Sequence, residues 1–271
     1  MSVVLGGLVI FISLFFADKT NLSNKKNAAL NTTPTNSAAT PTSQPNNLPP
    51  LSPEASTDKW LEKLKDAKGK ARVEVLDSVI ACLKKRNRFD FAAQYAETRL
   101  KEDSSLTGKQ VAGSLFYEAT HLEHIAKDSL LFGNFSQKAV SYLEQVKEAD
   151  SSNEKVMMML GNAYVESRVP LNMMKGVRTI KKVSEQNPNN VEAAFQMGLF
   201  LMQRGKWDEA VVRFEKVISL DANNSLAKFQ LARAFVELGK KEEAKNLLKS
   251  VAEKASEAEL KAEANRLLNS M

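Results

Sequence analysis

The sequence predicts an all-α fold in which short helices pair, turn back and stack along the chain. Three observations carry that expectation. Amphipathic helical patterns come in pairs: residues 194–224 read AFQMGLFLMQRGKWDEAVVRFEKVISLDANN, two apolar-striped stretches around a short RGK turn. The pair recurs, because a unit that starts at Val191 starts again at Ser225, a period of 34 residues. Helix breakers are also scarce: the 271 residues include 11 Gly and 8 Pro, and most of the Pro precedes residue 54. The remainder of the chain is rich in Ala, Leu, Lys and Glu, which lose little freedom in a helix.

The first element is the uncharged run MSVVLGGLVIFISLFFA (1–17), which Asp18 and Lys19 end. As a helix it would reach roughly 25 Å, slightly short of a typical hydrocarbon core. A cleaved signal peptide wants basic residues upstream and small ones before the cut. Here no Lys or Arg precedes the run, and Phe15 takes the −3 position if cleavage followed Ala17. A lipoprotein signal needs a junction cysteine, and a core helix needs a polar face; the segment has neither. Residues 1–17 are therefore expected to be a single-pass transmembrane signal-anchor, with a signal peptide of incomplete start as the alternative.

Lys19, Lys25 and Lys26 all follow the run, which by charge counting alone favours a cytoplasmic C-terminal side. The Asn/Thr/Pro-rich spacer beyond them has the character of linkers between a membrane anchor and an extracytoplasmic domain. The expectation is a folded domain on the periplasmic side of a bacterial inner membrane. Residues 18–56 are expected to be a disordered linker, since they carry almost no bulky apolar side chains to offset the entropy of ordering.

Residues 57–271 are expected to be roughly twelve helices. Trp60, Leu61 and Leu64 suggest a leading helix, and 70–104 shows helical periodicity in Val75, Val79, Leu83, Phe91 and Tyr95. In 105–153 the second helix is the clearer one, through Ala139, Leu143 and Val146. The units 154–190, 191–224 and 225–258 are plain. In the last two, Met197-Gly198 and Leu231-Ala232 fall at positions 7 and 8, and Leu201 and Phe235 at 11. Gly205 and Gly239 fall at 15, Ala210 and Ala244 at 20, Phe214 and Leu248 at 24, Val217 and Val251 at 27. The 154–190 unit agrees through Leu160-Gly161, Tyr164, Gly176, Ile180 and Val183, after three extra residues around Val169-Pro170. Residues 256–271 read as a terminal capping helix with a polar outer face.

Small residues at 8 and 20 let two antiparallel helices approach, larger ones at 7, 11 and 24 fill between them, and glycine at 15 suits a turn. On these residues the chain resembles the tetratricopeptide repeat family, well over about 150 residues and more loosely over about 215. The resemblance implies a right-handed superhelical solenoid. It also implies a concave groove lined by first-helix positions 5, 9 and 12: Met158, Asn162 and Val165, then Phe195, Leu199 and Met202, then Phe229, Arg233 and Val236. Such a groove is mostly apolar, with Asn162 and Arg233 as polar handles. It keeps at most Asn162 of the pattern that clamps a C-terminal carboxylate.

Nothing in the sequence points to catalysis or a cofactor: there is no Gly-rich phosphate loop and no Ser/His/Asp grouping. The only histidines, His121 and His124 in YEATHLEHIAKD, are expected on one helix face as ordinary polar residues. They lack the second Glu-x-x-His of a di-iron bundle, so a metal site there is only an alternative. Cys82, the single cysteine, makes no internal disulfide and is expected to act as a small buried hydrophobe. The net charge of +6 comes from Lys interleaved with Glu, the mark of solvated helix faces, not of a nucleic-acid surface. The expected function is a non-enzymatic scaffold or adaptor, tethered to a membrane, that binds a protein helix or peptide in its groove. By analogy with bacterial envelope proteins of this layout, it would assist assembly of envelope or c-type cytochrome complexes. The alternative is a self-associating structural scaffold, a homo-oligomer.

Overall fold

The computed structural model describes residues 48, 49, 51, 52 and 54–271. Residues 1–17, where the anchor is expected, lie outside them, as does most of the expected linker. Among the described residues there are thirteen helices and no strand, and no helix is long and apolar enough to cross a membrane. The chain divides into two units, Met1–Lys138 and Ala139–Met271.

In the first unit α1 (Ala55–Asp66) packs on α2 (Gly69–Lys85), α2 on α3 (Phe89–Leu100), and α3 on α4 (Leu106–Ala119). A short α5 (Glu123–Lys127) follows, and α6 (Ser129–Ala149) runs across the boundary between the units. The α2–α3 turn is anchored by two arginines. Arg86 pairs with Glu54 at 2.6 Å and donates to the Ser52 carbonyl and to Thr57 Oγ1. Arg88 donates to the Pro49 carbonyl at 2.7 Å and to the fully buried Asp90 at 2.8 Å. Ordered contacts thus reach back to Pro49, inside the stretch read from sequence as linker. Cys82 is half-buried, its Sγ 4.0 Å from the Ser56 carbonyl, and so is less enclosed than expected.

The expected single helix through YEATHLEHIAKD is broken. α4 ends at Ala119, His121 falls in a turn, and His124 sits in α5. Buried Thr120 donates from Oγ1 to the Tyr117 carbonyl at 2.6 Å, tying off the last turn. His121 stacks edge-on against Tyr117, while His124 Nε2 meets Asp90 Oδ2 at 3.2 Å. The two histidines therefore do not share a helix face. α5 is the thirteenth helix, which the expectation of twelve omitted.

The second unit is the regular one. After the end of α6 come three helix pairs: α7 (Glu154–Glu166) with α8 (Pro170–Gln186), α9 (Val191–Gln203) with α10 (Trp207–Leu220), and α11 (Ser225–Glu237) with α12 (Lys241–Lys254). α13 (Ala258–Asn269) packs on α12 as the cap. Asn153, Asn190 and Asn224 start the three first helices, each accepting a backbone N–H three residues on. Each first helix ends on a left-handed residue at position 15: Arg168 (φ 59°), Gly205 (71°) and Gly239 (75°). In the first unit Asn87 (φ 56°) ends α2 in the same way, and the Asn87 and Arg88 N–H groups reach the Lys84 and Leu83 carbonyls.

The helices of a pair close on small residues. A Cβ on Gly198 would stand 2.7 Å from the Phe214 ring, and one on Gly161 2.6 Å from Ile180 Cγ1. At the corresponding crossing of α11 and α12, Ala232 and Ala244 are fully buried. α7 and α9 are both 13 residues long, but α8 has 17 where α10 has 14. The extra residues around Val169-Pro170 thus lengthen the start of α8 and leave the preceding turn unchanged.

Candidate inner-face binding site

The first helices of the second unit touch one another directly, α9 against α11, so their side chains share one inner face. Most of the apolar residues expected to line a groove are packed into that face. Met158 is buried in a cluster with Met157, Ile180, Val183, Ala193 and Met197, and half-buried Val165 packs against it. Phe195, Leu199 and Met202 are each at most 8% exposed, and the Phe195 ring meets Phe214 edge-on at 5.6 Å. Phe229 is buried with Ala232, Ala244, Leu248 and Val251, and half-buried Val236 packs beside them. These large residues reach sideways to the next helix, so they form the floor of the face and not an open apolar surface.

What stays accessible is polar, Glu192 toward one end and Arg233 toward the other; Asn162, expected as a polar handle, is itself buried because its amide packs against Glu192. At the α7–α9 end, Asn162 donates from Nδ2 to Glu192 Oε1 at 2.8 Å. Glu192 lies in the first turn of α9 and still touches solvent, yet surrounding protein desolvates its carboxylate and raises its pKa. The negative charge of Glu166 pushes the same way, and the Asn162 hydrogen bond opposes both. Sequence reasoning missed Glu192; its signal was a carboxylate at position 2 of a unit whose preceding neighbour offers Asn162 and Glu166.

At the α11 end, Arg233 is half-buried and donates from Nη1 to Gln230 Oε1 at 2.9 Å. Burial lowers its pKa, and the charges of Glu237 and Glu263 resist that shift. The inner face therefore carries an acidic end around Glu166 and Glu192 and a guanidinium at Arg233. Val165 and Val236, each packed on the core of its own repeat, remain only half-buried. Behind the face, the Tyr164 hydroxyl donates to Glu144, and burial pushes that phenol above its ordinary range. Among the described residues no group of three or more His, Cys, Asp or Glu is placed to hold a metal.

Stacked antiparallel helix pairs with a shared inner face define a helical-repeat scaffold. Residues 201–264 match the family model described as tetratricopeptide repeat. No curated protein matches the sequence. Among solved structures, YrrB, described as a TPR protein with an unusual peptide-binding site, is 21% identical. That alignment covers 79% of this chain and 98% of YrrB with a TM-score of 0.50. MamA from Desulfovibrio magneticus RS-1 gives 13% identity, 69% and 96% coverage and a TM-score of 0.55. A thermophilic TPR protein of Thermus thermophilus gives 16%, 73% and 99%, and 0.52. The chain has the tetratricopeptide-repeat fold.

Proposed function

We propose that this chain is a non-enzymatic adaptor that holds a segment of another protein on the inner face of α7, α9 and α11. The observation that carries the reading is geometric: exposed Glu192 on α9, held by Asn162 at 2.8 Å, and half-buried Arg233 on α11, held by Gln230 at 2.9 Å, border the buried floor of Phe195, Leu199, Met202 and Phe229. A helix or extended segment laid along that floor meets acceptors at Glu166 and Glu192 and a donor at Arg233. The partner segment thus carries Lys or Arg toward the first end and an acidic or amide side chain toward the second. The repeat fold is one generally used for protein–protein contact, and the peptide site named for YrrB is consistent with that use. Tethering through residues 1–17, with the repeats on the periplasmic side of a bacterial membrane, would concentrate the adaptor where envelope complexes assemble.

The experiment is capture of partners from detergent-solubilised membranes with the full chain and with Glu192→Lys and Arg233→Glu. Loss of the same partner in both variants, with helix content unchanged by circular dichroism, supports the reading. Undiminished capture by both overturns it.

A further inference from the structure

The outer side of α8 departs from the other second helices in a way the repeat fold does not require. α10 opens Trp-Asp-Glu and α12 opens Lys-Glu-Glu, whereas α8 opens Pro-Leu-Asn-Met-Met. Its added turn and the residue before it leave Val169 48%, Leu171 71%, Met173 38% and Met174 43% exposed. Counting from Leu171, spacings of three, seven, ten and eleven place Met174, Arg178, Lys181 and Lys182 on the same side of the helix. That side lies opposite buried Gly176, Ile180 and Val183. Lys175 leans over the Tyr164 ring at 5.5 Å, and Lys181 pairs loosely with Glu185 at 3.5 Å. Arg178 and Lys182 have no ion-pair partner among the described residues.

We propose that this face of α8 docks on an anionic lipid bilayer, with Leu171 and Met174 entering the interface and Arg178, Lys181 and Lys182 against lipid phosphates. Glu185 is its only acid, so cations outnumber anions and the face complements a negatively charged surface. With the helix lying flat, the apolar end and the basic stretch meet the membrane together. Unbranched Met and Lys side chains adapt to a fluid interface at little cost. The face offers almost no acceptors to a folded partner, which would need directional bonds that headgroups do not. This surface is separate from the inner face, so either reading stands if the other fails.

The test uses the full chain carrying Cys82→Ser and an environment-sensitive fluorophore attached through Leu171→Cys. A second sample carries the fluorophore through Val212→Cys, on exposed α10. Any anchoring by residues 1–17 is common to both. With phosphatidylglycerol vesicles, the probe at 171 is expected to shift to the blue and brighten, while the probe at 212 does not. Phosphatidylcholine vesicles should give little change at either position. Adding Arg178→Gln and Lys182→Gln should weaken the anionic-vesicle response about thirtyfold in lipid concentration. No shift at 171, an equal shift with neutral lipid, or a shift without vesicles that grows with protein concentration (a second copy as occupant) would each overturn the proposal.

Discussion

A Cβ placed on Gly176 would lie 2.6 Å from the Gly161 carbonyl oxygen and 2.9 Å from the Val165 backbone nitrogen, so α7 and α8 cross with almost no space between backbones. Neither atom can swing aside as a side-chain tip can. Gly176→Ala is expected to destabilise the second unit by about 1–3 kcal/mol despite the better helix propensity of alanine. Gly161→Ala, whose new methyl meets the Ile180 side chain, should cost less. Urea denaturation of both variants checks the order, and a more stable Gly176→Ala would contradict the close crossing.

Gly239 adopts φ 75° with nothing within 4 Å of where its Cβ would be, so only backbone conformation is at stake there. Gly239→Ala should cost about 1–2 kcal/mol. Asn87, at φ 56°, already tolerates that region, so Asn87→Gly should change stability by less than about 0.5 kcal/mol. Thermal unfolding of the two variants tests the asymmetry.

Asp90 is fully buried and accepts from Arg88 while facing His124 of α5. Asp90→Ala takes the paired carboxylate from a largely buried guanidinium, which keeps its bond to the Pro49 carbonyl, and is expected to cost about 3 kcal/mol. Asp90→Asn keeps an acceptor and should cost less. Amide exchange in α5 should quicken in the alanine variant, because His124 loses its partner on α3.

Glu192 gives a prediction with a definite sign in pH. Its folded-state pKa is raised, mainly by burial, so the fold favours the protonated acid. That contribution is fully present below the ordinary carboxylate range and is lost as pH rises through the raised value. Glu192→Gln keeps an oxygen for Asn162 and removes the ionisation. Its melting temperature should exceed that of the unmodified chain at neutral pH, and the gap should close on acidification. A variant less stable at neutral pH would show that the ionised carboxylate is a net stabiliser.

Legibility in the sequence followed how tightly each position is constrained. The units at 191 and 225 could be read because the close crossings demand small residues, and Ala210, Ala232 and Ala244 are fully buried where the period put them. The expected 70–104 unit sits three residues later, at Asn87 for position 15 and fully buried Ala92 for position 20. Asparagine in place of glycine hid that frame, whereas Arg168 at the same position did not hide the 154–190 unit, whose Leu160-Gly161, Gly176 and Ile180 carried it. The nine inner-face residues were placed on a side of their helices, but periodicity gives direction and not depth. It therefore could not show that Phe195 and Leu199 are floor. Leu199→Glu, an obvious groove variant on sequence grounds, would bury a charge and test folding instead of binding.

The inner face is tested most directly by site-specific photo-crosslinking in cells, with the reactive residue at Val165, at Val236 and, as a control, at Val212 on α10. The proposal predicts that the same partner protein is trapped from 165 and 236 and not from 212. Equal trapping from all three, or trapping from 212 alone, would contradict it.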